Sequence, residues 1–416
     1  MKSKWAPTLV LGLSLSVTGC GDSSSENPGG TGGATAGGGS GGSTATGGSS
    51  SGGTAAGGAS TGGAATGGAS SGGAATGGGG TGGGDTGGAS SGGSAGSAGA
   101  PDGSGGIAGA SPGAAVPSSG CGVADGKATL TAGGSSVGGG LPTSTRLTIS
   151  SGGSNRDYII DIPADYDPDK PYRLIFSWHQ AFGSANGNAV GQYPAFNGPN
   201  FDAQNYAFFG LHREATAANQ PAIFVAPQGI GDFPWSYDRD VQLFDDLLAR
   251  VTSNLCIDES RVFTTGFSFG AMMSHALSIG RASKLRGAVT MAPANYNFTQ
   301  PPNQPESIAY FGITGMGDGT CRWVNDDGNQ TGGKYCVLTH AQDNGCTIPG
   351  DIVTAMNGSN NHVCYDFEGC DEGYPVKVCT FDGGHTPSSI SDGMSSGDDG
   401  RLAFIPPLAW QFISQF

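Results

Sequence analysis

No stretch of this sequence is long and apolar enough to span a bilayer, which excludes a helical integral membrane protein. Charge is scarce. Only 12% of residues are charged, and Asp plus Glu outnumber Lys plus Arg by 33 to 18. With a net charge of −15 and no basic stripe, the chain lacks the electrostatic footprint of a nucleic-acid partner. It also has no Cys-x-x-Cys pair and no His/Cys group at zinc spacing, so nothing in it points to a metal or requires an organic cofactor.

What the chain has in excess is glycine, 80 residues of 416. They are unevenly spread. Residues 1–19 carry Lys2, Lys4 and the apolar run Leu9-Val10-Leu11-Gly12-Leu13-Ser14-Leu15, then Val17-Thr18-Gly19 before Cys20. This reads as a lipoprotein signal peptide, with small residues before Cys20 resembling a bacterial lipobox and Cys20 as the lipidation site. The expectation is an exported outer-membrane or cell-surface lipoprotein, or an extracellular protein, held to a membrane by its N-terminal lipid rather than spanning it. Residues 20–120 are almost only Gly, Ser, Thr and Ala, in loose repeats such as Thr61-Gly62-Gly63-Ala64-Ala65. Such sequence lacks the apolar side chains that offset ordering entropy, and reads as a disordered linker with a reach of about 50–60 Å for roughly 100 residues. Residues 121–416 are enough for one α/β domain, expected to be monomeric.

Setting Cys20 aside, eight of the nine cysteines remain: Cys121, Cys256, Cys321, Cys336, Cys346, Cys364, Cys370 and Cys379. An even number in an exported domain predicts four disulfides.

Within 121–416, short apolar runs alternate with helical patterns. Thr145–Ile149 and Asp157–Ile162 read as an opening hairpin at a sheet edge. Tyr172–Trp178 and Ala222–Pro227 are nearly continuous apolar runs, the mark of strands buried on both faces. Residues 240–253 repeat Val241, Phe244, Leu248 and Val251 at helical spacing. Residues 261–265, 286–292, 307–314 and 376–381 complete the strands, and 402–416 reads as a closing amphipathic helix. The alternation predicts a mostly parallel central sheet with helices on both faces.

Between the strand at 261–265 and the helix formers at 271–277 stands Gly266-Phe267-Ser268-Phe269-Gly270, a Gly-x-Ser-x-Gly pattern. In such glycine-rich sequence the pattern alone means little: Gly38-Gly39-Ser40-Gly41-Gly42 and Gly92-Gly93-Ser94-Ala95-Gly96 also match. Only Ser268 has the strand before and the helix after that a nucleophile elbow needs.

A serine hydroxyl needs a base, and the base needs an orienting carboxylate. In an α/β-hydrolase fold these follow in the order Ser, acid, His. His385, in Asp382-Gly383-Gly384-His385-Thr386-Pro387, directly follows the last strand and is the candidate base. His340 and His362 read as polar loop residues, and His275 as packed or capping. Asp318 follows the strand at 307–314 and is the candidate acid, with Asp326 and Asp327 in reserve. The oxyanion donors are expected to be the backbone N–H of Phe269 and one from the loop after 172–178, for which Gln180 is chosen. His179 in that loop either touches substrate or is structural. Phe182, Trp235, Phe267 and Trp323, with Trp178 and Phe269, cluster near the site loops and either line a substrate pocket or pack the core.

Taken together, Tyr172–Phe176 with Trp178-His179 and Gly183-Ser184, Phe224–Gly229, Leu255–Asp258, Ser260–Phe263, Thr265–Gly270, Asn344-Gly345-Cys346 and Asp382–Pro387 resemble secreted feruloyl esterases. These belong with acetylxylan esterases and polyhydroxybutyrate depolymerases in carbohydrate esterase family one. The resemblance implies an α/β-hydrolase fold, a triad of Ser268, Asp318 and His385, and hydrolysis of carboxylic esters on plant cell-wall polysaccharide. It also implies Cys121–Cys256 and Cys346–Cys370 bridges, leaving Cys321–Cys336 and Cys364–Cys379 by elimination. A polyester or acetylated xylan substrate, and a non-catalytic carbohydrate-binding lipoprotein, are the rival readings. The chain departs from the family at Phe182, where glycine is usual, at Pro234–Tyr237, and at Cys321 and Trp323 beyond the acid.

Overall fold

The computed structural model describes residues 113–139, 141–192, 203–326, 328–387 and 404–416. The expected signal peptide, Cys20, most of the linker and Asp327 lie outside these residues.

The sheet begins with a small edge strand, β1 (Ser135–Ser136), against β2 (Ser144–Ser151). β2 turns at Gly152-Gly153 into its antiparallel partner β3 (Ser154–Asp161), the hairpin expected from the sequence. β4 (Tyr172–Trp178), β5 (Ala222–Pro227), β6 (Ile257–Phe267), β7 (Gly287–Met291), β8 (Ala309–Gly315) and β10 (Val376–Phe381) form the parallel body. β9 (His362–Asp366) closes the far edge antiparallel to β10. The spatial order is β1-β2-β3-β5-β4-β6-β7-β8-β10-β9. The chain steps one way from β4 to β5, then crosses back over β4 to β6 and continues the other way to β7 and β8. The carboxyl ends of β4 and β6 therefore flank the switch point, where open α/β sheets leave a crevice. This is an α/β-hydrolase fold.

Alternation along β4 shows how the two faces are covered. Ile175 faces the cluster containing Leu211 and Ala215 of α3 (Leu211–Ala217) and Trp410, Phe412 and Ile413 of α7 (Ile405–Ser414). Leu174 and Phe176 face the other way, onto Phe244 and Leu247 of α4 (Tyr237–Asn254) and Met273 and Leu277 of α5 (Phe269–Gly280). Fully burying one such side chain contributes roughly 1.5–3 kcal/mol. A third cluster joins Val376 and Val378 of β10 to Val337 and Ala341 of α6 (Gly333–Asp343). The short helices α1 (Gly126–Thr131) and α2 (Ala185–Ala189) complete the order.

Residues 117–120, which composition puts at the end of the linker, are held against β6. Ser118 donates its N–H to Ile257 O at 2.8 Å and its hydroxyl to Leu255 O at 2.8 Å. The Cys121–Cys256 disulfide, spanning 135 residues, fixes the same junction and contributes roughly 5 kcal/mol in chain-entropy terms. Cys346–Cys370 and Cys364–Cys379 are also bridged, the latter between directly paired residues of β9 and β10.

Two expectations are corrected. Cys321 and Cys336 are separate buried thiols rather than a fourth bridge. His340 and His362 are not loop residues: His362 opens β9, and His340 is buried on α6, where Ser278 Oγ lies 3.0 Å from its Nε2. The polar letters around His340 hid a helix whose buried face is built from Cys336, Val337, His340 and Ala341.

Candidate active site

β6 runs straight into α5, and Ser268 is the single residue between them. Its backbone sits at φ 55° and ψ −120°, a sparsely populated region that costs on the order of 1–3 kcal/mol for a non-glycine residue. The surroundings hold it there. Ser268 N–H donates to Met291 O at 2.9 Å, at the end of β7. A side chain at Gly270 would collide with the carbonyls of Trp178 and His179, and one at Gly266 with Gly270 itself. The elbow thus packs backbone to backbone against the loop leaving β4. As the first residue of α5, Phe269 has an N–H with no acceptor inside the helix.

The loops after β8 and β10 bring two further groups to Ser268. Nε2 of His385 lies 2.8 Å from Ser268 Oγ, and Nδ1 of His385 lies 2.7 Å from Asp318 Oδ2. The other oxygen, Asp318 Oδ1, accepts the N–H groups of Thr320 at 2.8 Å and Cys321 at 2.7 Å. Asp318 is only 5% exposed, and the Phe267 ring lies 4.7 Å from the His385 ring, centre to centre. The two loops are joined closely: Met316 N–H donates to Phe381 O at 2.8 Å and Gly317 N–H to Gly383 O at 2.9 Å. At Gly315 a Cβ would strike the carbonyl oxygens of Gly383 and Gly384, so only glycine permits this approach. Burial pushes the Cys321 thiol far above its ordinary pKa, with Asp318 adding to the rise and the Ser268 hydroxyl opposing it.

The remaining sequence-selected residues divide. His179 is buried, with Nδ1 2.8 Å from Gln180 O and Nε2 accepting the N–H of Gly229 at 3.1 Å. Burial lowers its pKa to about 4, with the Gln180 carbonyl opposing, so a neutral imidazole clamps two loops together. That is the structural alternative, and both ring nitrogens are occupied within the protein. Trp235 is likewise interior, its indole N–H donating to His179 O at 2.7 Å, and Phe267 is fully buried. Both side chains are packed inside the domain, Phe267 against the His385 ring. Gln180 is buried beside the elbow, while Trp323 is half-buried beside α6. Phe182 is on the surface. Phe233 and Phe298 carry no signal in the sequence, where isolated aromatics in Gly/Pro-rich loops have no periodicity; both rings pack in a row with Phe269. Among the described residues no group of three or more His, Cys, Asp or Glu is placed to hold a metal ion.

No family model matches the sequence. A relative from Neurospora crassa, feruloyl esterase D, is 30% identical over 306 residues, covering 73% of this chain and 92% of that protein. The chain belongs to the feruloyl esterase family. Feruloyl esterase C of Emericella nidulans is 33% identical over 262 residues, covering 62% of this esterase and 84% of its own length. A solved ferulic acid esterase from Anaeromyces mucronatus superposes with a TM-score of 0.37 at 15% identity, over 49% of this chain and 79% of that one. This feruloyl esterase relative is a carboxylic ester hydrolase whose substrate bears an ester.

Proposed function

We propose that Ser268, His385 and Asp318 are the catalytic triad of a serine esterase acting on hydroxycinnamate esters of plant cell-wall polysaccharide. Ser268 Oγ attacks the ester carbonyl while His385 Nε2 takes its proton. The tetrahedral oxyanion is held by the N–H of Phe269 and a second N–H from the loop after β4, assigned to Gln180. His385 then returns the proton to the leaving alkoxide, and water attacks the acyl-serine by the same route. Asp318 keeps the proton of neutral His385 on Nδ1 and stabilises the imidazolium. No cofactor enters these steps. The observation that carries this reading is the unbroken contact from Ser268 Oγ to His385 to Asp318, at 2.8 and 2.7 Å.

The protein is further proposed to be exported, which the three disulfides support because such bridges persist in oxidising compartments. Lipidation at Cys20 and a linker over residues 20–120 would place the domain at a membrane surface, and the protein is proposed to be monomeric. Replacing Ser268 by Ala is expected to lower kcat for methyl ferulate by roughly 10⁴–10⁶. Near-normal turnover by that variant, or failure of the wild type to react with a fluorophosphonate, would overturn the assignment.

A further inference from the structure

Beside the nucleophile runs a row of aromatic rings that the chemistry does not use. Phe298 packs on Phe269 with ring centres 5.4 Å apart, Phe269 on Phe233 at 5.7 Å, and Phe233 on Phe182 at 5.5 Å, each edge to face. The row runs through Phe269, the residue next to Ser268, and ends in solvent at Phe182. Phe182 is 71% exposed and Phe233 64%, with Ile230 also exposed nearby. A single exposed apolar side chain is ordinary; a contiguous row that reaches a nucleophile marks a binding face.

The far end of the row is held there at a cost. Phe182 sits at φ 58°, which glycine adopts freely and a residue with a Cβ adopts at a cost of roughly 1–2 kcal/mol. With most of its ring in solvent, Phe182 recovers little of that by burial. The row is also pre-formed. Phe182 N–H donates to Asp232 O at 2.8 Å and Ile230 N–H to Pro234 O at 3.1 Å, and the His179 clamp ties both loops together. A ligand lying on rings already fixed in place incurs little ordering entropy. The face is open rather than enclosed, so it suits a chain lying along the surface better than a small molecule buried whole. Its recognition chemistry is that of aromatic rings at close spacing, which prefer other aromatic rings.

We propose that the exposed Phe182–Phe233 pair receives a second aromatic ring of a substrate whose rings recur along the chain, and that this esterase therefore acts on aromatic polyesters. The inference rests on Ser268 being the nucleophile. The test compares kcat/KM for bis(2-hydroxyethyl) terephthalate, its two-ring dimer, methyl ferulate and a hydroxybutyrate trimer. The wild type should favour the two-ring ester over the one-ring ester. Phe233→Ala and Phe182→Gly should each cut that preference about tenfold, mainly through KM, and Phe233→Tyr should keep it. Phe182→Gly should melt no lower than wild type, since it relieves the strained φ. An unchanged two-ring to one-ring ratio in both variants would overturn the proposal. So would an equal loss on the hydroxybutyrate trimer, which would make the face merely apolar, or hydrolysis of methyl ferulate with neither terephthalate accepted. If the wild type hydrolyses none of these esters, the triad assignment falls with it.

Discussion

The backbone N–H of Cys321 donates to Oδ1 of Asp318 across 2.7 Å, and its thiol is buried beside the Ser268 hydroxyl. The residue that holds the acid is thus packed against the nucleophile. With Thr320 it fixes one carboxylate oxygen, leaving the other to meet His385. This division of labour sets what an amide can replace. Asp318→Asn keeps an oxygen for the two N–H donors but presents an NH₂ to Nδ1 of His385. The imidazole must then carry its proton on Nε2, where it cannot accept from Ser268. The expected result is a fall in kcat of about 10⁴ with little change in KM or melting temperature. Turnover within tenfold of wild type would show that Asp318 only braces the loop.

Acid should unfold this domain for a reason unrelated to catalysis. His179 and His275 are buried, and burial lowers the pKa of each to about 4. His275 faces the rings of His340 and Tyr310, and His340, also fully buried, is held well below its ordinary value. In the unfolded chain these imidazoles bind protons below about pH 6.5. Between pH 6.5 and 4 the unfolded state therefore holds more protons, and stability falls as pH falls through that window. Each of the first two histidines accounts for a loss on the order of 3 kcal/mol by pH 4. Urea midpoints measured from pH 7 to 4 should drop accordingly, and His275→Leu should flatten the slope relative to wild type. Parallel slopes in the two proteins would refute this.

The same residues show what was legible in the sequence. Ser268, Asp318 and His385 stand out in the sequence because each follows a strand with a strong apolar run, and the structure brings the three side chains within hydrogen-bond distance. His340 differs from its sequence expectation because its helix is amphipathic around polar and cysteine residues, and its burial comes from Tyr310 and His275, both distant in sequence. The Cys321–Cys336 pairing failed for a related reason. Counting cysteines assumes that every thiol seeks a partner, whereas a buried thiol also packs as a small apolar group. His179 and Trp235 were legible as neighbours of the site but not as a clamp. That role depends on the Gly229 N–H and the His179 carbonyl, two backbone groups that no pattern of side chains reports.

Gly315 offers a test of how the triad is assembled rather than of its members. It ends β8, three residues before Asp318, and is not itself a member of the triad. A methyl group there would meet the Gly383 and Gly384 carbonyls, the turn that carries His385. Gly315→Ala must push the β8 and β10 loops apart, moving Asp318 and His385 relative to Ser268. Misplacement by about 1 Å costs up to roughly 10²-fold in rate, and the overpacking costs about 1–3 kcal/mol of stability. The expected signature is a kcat reduced about 10²-fold, KM within a few-fold of wild type, and a melting temperature lowered by several degrees. Gly319→Ala, in the same loop with open space where the new methyl would go, should leave both kcat and melting temperature near wild type. If the two variants behave alike, the contact between the loops is not what aligns the acid and the base.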